Sequence, residues 1–312
     1  MSGLITRFKR FKKRIYQIEE LVRRVDDLQK ALGRVEARQL LAHKSSTTSL
    51  HDYEFKVYSQ WGEDGIIQFL INNIDITNAV FVEFGVQDYK ESNTRFLLQH
   101  DNWAGLVIDS SEQGVQTIKS QEMYFRNNLR AVCGFIDRDN INPLISGNGI
   151  QGDIGLLSID IDGNDYWIWD AIDCISPRIV ICEYDSLLGC RHAITTPYDP
   201  MFDRAKAHYS FLYGGASIAA LHKLAMKKGY SLVGSNSAGV NAFFVRDDVL
   251  GSLPVLSPQQ AYVKSQFRNS KDHDGKFTFL SFEESRKIIA DLPYFDLGTN
   301  SVVRMRDIGG FQ

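Results

Sequence analysis

About the first forty residues place an apolar side chain at alternating steps of four and three, which is the heptad pattern of a coiled coil. No glycine interrupts the pattern between Gly3 and Gly33. A helix that is polar outside such a stripe does not bury it alone, so we predict self-association through residues 4–41. An amphipathic helix packed on its own domain stays open as an alternative. The stripe comprises Leu4, Phe8, Phe11, Ile15, Ile18, Val22 and Val25, and after a change of register Leu28, Leu32 and Val35.

From Tyr53 onward, short apolar runs alternate with segments of helical periodicity. This alternation predicts an α/β fold with a mainly parallel, doubly wound, Rossmann-like sheet that is covered on both faces. Ligands of such sheets bind at the carboxyl ends of the strands. We predict helices near 66–74, 92–100, 166–172 and 218–228, and strands at 79–84, 105–108, 131–136, 154–161, 177–182, 231–233 and 242–245.

Composition and patterning divide the chain into four parts. Residues 1–43 are the predicted coiled-coil helix, and the polar, aperiodic residues 44–52 are a predicted linker. Residues 53–250 form the predicted α/β domain, and residues 251–312 form a C-terminal extension. A capping-box pattern from Ser281 to Glu284 predicts a helix in this extension, where no candidate site residue stands out.

The charge of the chain argues against a nucleic-acid partner. The formal net charge of 312 residues is -3, so no overall positive field attracts a polyanion. Positive charge is concentrated locally, since the segment Arg7–Arg14 holds six basic residues and no acidic one. Such a segment suits an anionic membrane surface or an acidic partner, and it equally suits the solvated end of a coiled coil.

Cysteine usage and hydropathy indicate the compartment. Cys133, Cys174, Cys182 and Cys190 lack the paired spacing of a zinc site, and most lie in or beside apolar runs. We therefore expect buried thiols in a reducing cytosol. No apolar stretch approaches the length of a membrane span, and the N-terminus is too charged for a signal peptide. The expected location is the cytoplasm, with peripheral attachment to the inner face of the membrane as an option.

Two predicted strands that follow each other in the sequence end in residues suited to a nucleoside. The first runs into Glu83 and Gly85, and the second stops at Asp109. An acidic residue at this distance from a glycine turn is placed to accept both hydroxyl groups of a ribose. The chain has no G-x-G-x-x-G and no G-K-[ST] motif. A cofactor with a ribose but without a pyrophosphate therefore fits best.

Two later strand ends are rich in carboxylates. Asp160 and Asp162 follow one predicted strand, and Glu183 and Asp185 follow the next. Oxygen ligands from neighbouring strand ends suit a hard divalent cation, Mg²⁺ or Mn²⁺, so these four residues are the candidate metal ligands. The alternative is that the segment 162–165 only turns the chain and caps the following helix.

Four motifs resemble the class I S-adenosylmethionine-dependent methyltransferases, and within them the FkbM-like group found among cell-surface polysaccharide genes. The resemblance covers Tyr58–Arg246, within the proposed methyltransferase domain 53–250. The chain departs from the family pattern at Tyr89, where relatives usually have glycine. The resemblance is carried by Tyr58-Ser59-Gln60-x-Gly62-Glu63-Asp64, by Phe81-Val82-Glu83-Phe84-Gly85 with Asp88 and Ser92-Asn93-Thr94, by Trp103-x-Gly105-Leu106-x-Ile108-Asp109, and by Ser158-Ile159-Asp160-Ile161-Asp162-Gly163.

The resemblance implies roles for individual residues. Glu83 and Gly85 would line the methionine end of the cofactor, Asp109 would bind its ribose, and residues 135–137 with Asp137 would meet the adenine. Asp160 would face the transferred methyl group. Further cofactor contacts are implied for Asp88, Asn93, Thr94 and Ser110.

Methyl transfer to oxygen needs a general base, because the deprotonated hydroxyl is the scarce species. His192 is the leading candidate and Asp160 the second, although a lone histidine is often structural. The implied function is an O-methyltransferase acting on a hydroxyl of a glycan or glycoconjugate, for example a lipid-linked glycan, beside a glycosyltransferase. The alternatives are a non-catalytic ligand-binding scaffold and a metal-dependent hydrolase using Asp160, Asp162 and Glu183.

Overall fold

The computed structural model describes residues 2–42, 49–266 and 270–309. Its strands are β1 (Val80–Phe84), β2 (Ala104–Asp109), β3 (Leu129–Cys133), β4 (Gly152–Ile159), β5 (Ile175–Glu183), β6 (Ile194–Thr195), β7 (Tyr230–Ser235), β8 (Asn241–Arg246), β9 (Pro293–Asp296) and β10 (Ser301–Arg304). Its α-helices are α1 (Ser2–Ala42), α2 (Glu63–Asn73), α3 (Arg95–His100), α4 (Glu112–Ser120), α5 (Glu122–Arg126), α6 (Ile141–Ser146), α7 (Asp165–Ala171), α8 (Arg204–Ala207), α9 (Ile218–Lys228), α10 (Pro258–Ala261) and α11 (Phe282–Ile289). Short 3-10 helices cover Leu50–Tyr53, Ser186–Leu188, Asp247–Val249 and Met305–Asp307.

The main sheet has seven strands in the order β3-β2-β1-β4-β5-β8-β7. Strands β1 to β5 pair in parallel, while β8 pairs antiparallel with both β5 and β7. This order places the first strand of the sheet beside the fourth, as in doubly wound Rossmann-like sheets. The prediction of a mixed α/β fold with a mainly parallel sheet is confirmed.

Both faces of this sheet are buried, which explains the continuous apolar runs of its strands. Neighbouring residues in one strand pack into two different hydrophobic clusters. Val82, Leu157 and Val180 belong to one cluster, and Phe81 and Leu156 belong to the other. The pairing of β3 with β2 ends at Asp109 opposite Cys133, so β3 stops before Gly134 and is shorter at this end than predicted.

Helix α1 is continuous, and its C-terminal half packs on the α/β domain. The Tyr58 hydroxyl donates to Asp26 at 2.9 Å, and the Gln29 amide donates to the carbonyl of Val57. A Cβ added at Gly33 would come within 2.4 Å of the Val57 side chain, and Ala37 is buried. The stripe predicted to drive self-association is exposed wherever its side chains are described, so the coiled coil stays a prediction.

Residues 44–48 of the predicted linker 44–52 lie outside the described residues. Its last residues belong to the 3-10 helix Leu50–Tyr53, and the Leu50 side chain is buried. The C-terminal extension is integrated into the fold: β9 pairs with β6 and β10 in a second, three-stranded sheet. Helix α11 begins with the predicted capping box at Ser281.

Within the described part of the chain, no helix is long and apolar enough to cross a membrane. Of the four cysteines, which are all free thiols, only Cys182 is buried, and Cys133 is exposed. The expectation of generally buried thiols is therefore wrong. Cys133 is the last residue of an edge strand, so its side chain is not covered by a second neighbouring strand.

Candidate functional site

The turn after β1 lies between the ends of β2 and β4. Gly85 has φ +72°, and its amide donates to the carbonyl of Ile108 at 3.1 Å. A Cβ at this position would lie 1.7 Å from the carbonyl oxygen of Asp160. Only glycine tolerates both the backbone conformation and this approach. The ends of β1, β2 and β4 are thereby brought together at one edge of the sheet.

Glu83 anchors the segment that leads into α3. Its buried carboxylate accepts hydrogen bonds from the amides of Asn93 at 2.8 Å and Thr94 at 3.2 Å, and from the Thr94 hydroxyl. Burial raises the pKa of Glu83 to about 7, although these hydrogen bonds favour the charged form. Because residues 92–94 serve this carboxylate, α3 begins at Arg95 and not at Ser92 as predicted.

Tyr89 fills the place where the resembled family has glycine. Its φ is +62°, its side chain is fully buried, and its hydroxyl lies 2.8 Å from the Thr94 hydroxyl. Asp88 forms an ion pair with Lys90 nearby. The Asn93 side-chain amide donates to Ser158 of β4 at 3.0 Å. The loop between β1 and α3 is therefore held by the contacts of Tyr89 with Thr94 and of Asn93 with Ser158.

Asp109 ends β2 with a buried carboxylate that contacts two loops. One oxygen accepts from the amide of Gln87 at 2.6 Å, and the other accepts from the amide of Ser111 at 2.7 Å. A carboxylate offers about four acceptor positions, so about two remain for a ligand. The Asp109 carboxylate is thus fixed in orientation, with an acceptor position left on each oxygen.

The end of β3 contributes an exposed aromatic ring at Phe135, whose side chain is 48% exposed. Ser110 is also exposed. Asp137 turns the chain into α6, because its carboxylate accepts from the amides of Asp139 at 2.9 Å and Asn140 at 2.8 Å. Phe135 is the member of this segment with a free apolar face.

Three carboxylates cluster at the ends of β4 and β5. One oxygen each of Asp160, Asp165 and Glu183 lies within 4.8 Å of the others. Burial, and then the charges of Asp162 and Asp165, raise the pKa of Asp160 to about 8. Burial and the charge of Asp160 raise the pKa of Glu183 well above its usual value. The cluster therefore has a high affinity for a proton or a cation.

The sequence predicts Asp162 and Asp185 in this group, whereas the structure brings Asp165 into it. Asp162 adopts a left-handed conformation with φ +60° and pairs with Arg204 at 2.8 Å. Asp165 accepts from the amides of Ile161 and Gly163, both at 2.9 Å. Asp185 accepts from the amide of Leu187 at 2.8 Å and begins a 3-10 helix. The metal-ligand set Asp160, Asp162, Glu183 and Asp185 is thus only partly assembled.

Arg204, which the sequence analysis did not select, is the cation of this site. Its Nε donates to the carbonyl of Phe211 at 3.0 Å, and its guanidinium lies over the Phe211 ring. Burial lowers its pKa, but the carboxylates of Glu183, Asp162 and Asp185 outweigh this effect and raise it. No local pattern around Arg204 points to the site, because its partners come from other parts of the chain.

A cavity of about 380 Å³ opens beside these groups. Its wall includes the end of β5, the loop 212–215 and two parts of the C-terminal extension, 264–266 and 280–285. Its ionisable lining residues are Asp162, Glu183, Asp185, Arg204, Lys264 and Glu283. Four carboxylates face two cations, so the lining is acidic. The C-terminal extension, where no candidate site residue stands out in the sequence, thus contributes part of the cavity lining.

His192 lies elsewhere. Its Nε2 is 2.7 Å from the carbonyl oxygen of Gly309, and among the described residues the cavity lining includes Glu183 but not His192.

Glu63 and Asp64, the two carboxylates of the motif Tyr58–Asp64, are structural anchors. Asp64 is buried and accepts from the amides of Val57, at 2.7 Å, and Ser59, at 2.8 Å. Burial raises the pKa of Asp64 to about 6.

No family model matches the chain, and no curated protein matches its sequence. Several solved structures are similar in fold. The O-methyltransferase from Bacillus cereus in complex with SAH has 14% identity and a TM-score of 0.40, with 67% of this chain and 89% of that chain covered. The N-terminal domain of EvdMO1 with SAH bound has 10% identity and a TM-score of 0.33, with 53% and 72% covered. TYW2 of M. jannaschii in complex with AdoMet has 14% identity and a TM-score of 0.31, with 56% and 72% covered. TM-scores in this range do not define a common family.

Proposed function

We propose that the chain is an S-adenosylmethionine-dependent O-methyltransferase that methylates a hydroxyl of a glycan or glycoconjugate. The observation that carries this proposal is that the Gly85 turn, the Asp109 carboxylate and the acidic cavity beside Glu183 all lie at the carboxyl-terminal ends of parallel strands of one sheet. The order of strands reverses between β1 and β4, and Rossmann-like sheets bind ligands at such a switch point.

The residues at β1 to β3 fit the cofactor. The acceptor positions left on Asp109 match the two hydroxyls of a ribose, and the exposed Phe135 ring offers a face for an adenine. The sequence resemblance specifies S-adenosylmethionine among nucleosides, which when bound would supply an electrophilic methyl group. Glu83 acts on this site through the loop that it anchors.

The Asp160–Glu183 pair is the proposed base. Glu183 lines the cavity, and the Asp160 side chain is hydrogen-bonded to Glu183. Because both pKa values are raised, an ionised carboxylate of this pair is a stronger base than an ordinary carboxylate; it would take the proton of the acceptor hydroxyl as the oxygen attacks the methyl group, and this requires a pH at which the pair has lost a proton. His192, bonded to Gly309, is the weaker candidate.

The cavity favours an uncharged acceptor. Both lining cations are already paired, Arg204 with Asp162 and Lys264 with Glu283, so among the described lining residues no unpaired positive charge is left for a phosphate or an acidic sugar, while carboxyl oxygens accept hydrogen bonds from neutral hydroxyl groups. This charge balance supports a hydroxyl-rich acceptor such as a glycan. The basic segment 7–14 would hold the enzyme in the cytoplasm at the inner face of the membrane, near lipid-linked glycans and a glycosyltransferase.

A divalent cation fits the donor set of Asp160, Asp165 and Glu183, since all three supply carboxylate oxygens. These residues would hold Mg²⁺ or Mn²⁺, which would lower the pKa of a coordinated hydroxyl; with the cation bound, Asp160 and Glu183 would act as its ligands and not as the base. Thermal unfolding with added Mn²⁺ tests this. We expect stabilisation that Glu183→Gln abolishes and Glu283→Gln, at the exposed rim, retains. Equal stabilisation of both variants would exclude the cluster as the site.

Calorimetric titration with S-adenosylmethionine and S-adenosylhomocysteine tests the proposed function. We expect binding that Phe135→Ala weakens, because its ring would stack on the adenine, and that Phe125→Ala leaves unchanged. Phe125 is a matched control, since it is 76% exposed on α5. Asp109→Asn should also weaken binding. A chain that binds neither ligand would refute the proposal, and binding without methyl transfer to any glycan acceptor would favour a scaffold.

A further inference from the structure

An exposed column of apolar side chains runs along α1. It contains every seventh residue from Phe11 to Leu32. These side chains are 60% (Phe11), 60% (Ile18), 54% (Val25) and 61% (Leu32) exposed. Contiguous apolar surface of this kind marks an interaction site in a protein that is otherwise well packed. We call these four residues the apolar column.

A second row of apolar residues flanks the apolar column and changes side along the helix. In the N-terminal half the flank consists of Ile15 and Val22, which lie on one side of the column. On the other side it consists of Leu21, Leu28 and Val35, so the two flanks overlap at Leu21 and Val22. The exposed apolar stripe is therefore at least two residues wide over its whole length.

The change of flank coincides with the contact between α1 and its own domain. Gln29 lies seven residues after Val22, where the flank of Ile15 and Val22 would continue. Its side chain hydrogen-bonds to the domain, as that of Asp26 does. The contact is closed by small residues, Gly33 and Ala37, and not by the large apolar ones. The domain thus covers the face of α1 that carries Gly33 and Ala37, and it leaves the apolar column uncovered.

The repeat of the apolar column identifies what can cover it. From Phe11 to Val35 the stripe extends over roughly 36 Å at 1.5 Å per residue. A seven-residue repeat of this length is matched by a helix with the same repeat, which stays in register by supercoiling. We propose that the apolar column is covered by α1 of a second copy of this chain.

Charge supports the same occupant. Segment 7–14 contains six basic residues and no acidic one, whereas segment 19–27 contains four acidic and two basic residues. Two copies of α1 that cross in opposite directions bring the basic segment of each near the acidic segment of the other. Such complementarity favours a partner that carries both segments.

Light scattering on the full-length chain over a wide range of concentration tests this proposal. We expect a mass of at least twice 35.4 kDa for the wild type. Val25→Asp with Leu32→Asp places charges in the apolar column, and should raise the dissociation constant by more than about tenfold. Ala31→Asp is the matched control, because Ala31 is exposed on α1 outside the apolar column and its flank.

The thermal unfolding of each variant shows whether its domain is intact. If the double variant unfolds like the wild type but is monomeric, while the control still associates, the proposal holds. A wild type that is monomeric at all concentrations overturns it, as does a double variant that associates like the wild type. A monomer that instead sediments with vesicles of anionic phospholipid would assign the apolar column to a lipid surface.

Discussion

Gly85→Ala tests the approach of β1 to β4, on which the whole candidate site depends. The substitution adds one methyl group at a residue with φ +72°. The added carbon would lie 1.7 Å from the carbonyl oxygen of Asp160. This oxygen belongs to the backbone, so no side-chain rotation relieves the overlap, and the ends of the two strands have to separate.

The expected loss of stability has two parts. A left-handed conformation costs a residue with a Cβ roughly 1–2 kcal/mol, and forcing an extra carbon into a packed position costs roughly 1–3 kcal/mol more. Gly152→Ala separates the two, because Gly152 has φ +69° and nothing within 4 Å of an added Cβ. We therefore expect a loss of roughly 2–5 kcal/mol for Gly85→Ala and only roughly 1–2 kcal/mol for Gly152→Ala.

Urea unfolding followed by tryptophan fluorescence measures both free energies of unfolding. The two variants change the same residue type to the same product, and Gly152 begins the strand that Asp160 follows. If both variants lose the same stability, the turn at Gly85 does not press on the Asp160 carbonyl. The proposed juxtaposition of the β1 and β4 ends would then be refuted.

Three further predictions concern buried charge. Arg204→Met should cost about 3 kcal/mol, because it removes the cation from an acidic cavity, whereas Lys206→Met, on the solvent-exposed side of α8, should change stability little; chemical unfolding at neutral pH measures both. Thr94→Val should cost roughly 1–3 kcal/mol, because the buried Glu83 loses a hydroxyl donor; a Ser variant that restores stability would support this cause. The pKa of Asp64 is raised from 3.8 to about 6, so its contribution to stability is present below about pH 4 and is lost as the pH rises through 6. Between these values Asp64→Asn should reduce the downward slope of stability by up to about 1.4 kcal/mol per pH unit, and equal slopes would contradict the assignment.

The elements with local signals could be predicted from the sequence. Helix α9 has the predicted bounds because both of its ends are encoded locally. Ser217 accepts from the amide of Ala220 at the start, and Gly229 adopts φ +79° at the end. The strands β1, β4 and β5 were found because sheets buried on both faces need unbroken apolar runs.

The rest of the site depends on contacts between distant residues. The pair of β6 with β9 joins Ile194 to Asp296, and strands so short show no periodicity. The left-handed turn at Asp162 decides which carboxylates meet, and it directs this side chain to Arg204. Neither the turn nor the ion pair follows from spacing along the chain.

The cavity wall formed by residues 264–266 and 280–285 sets an order of events during synthesis. The ribosome releases the N-terminal parts of a protein first, and these parts begin to fold before the chain is complete. All seven strands of the main sheet precede residue 247, so the ends of β1, β2 and β4 can assemble while the cavity beside β5 is still open to solvent. A nascent or prematurely terminated chain would thus expose the acidic groups of the cavity to water, and the cavity would close on this side only when translation has passed α11.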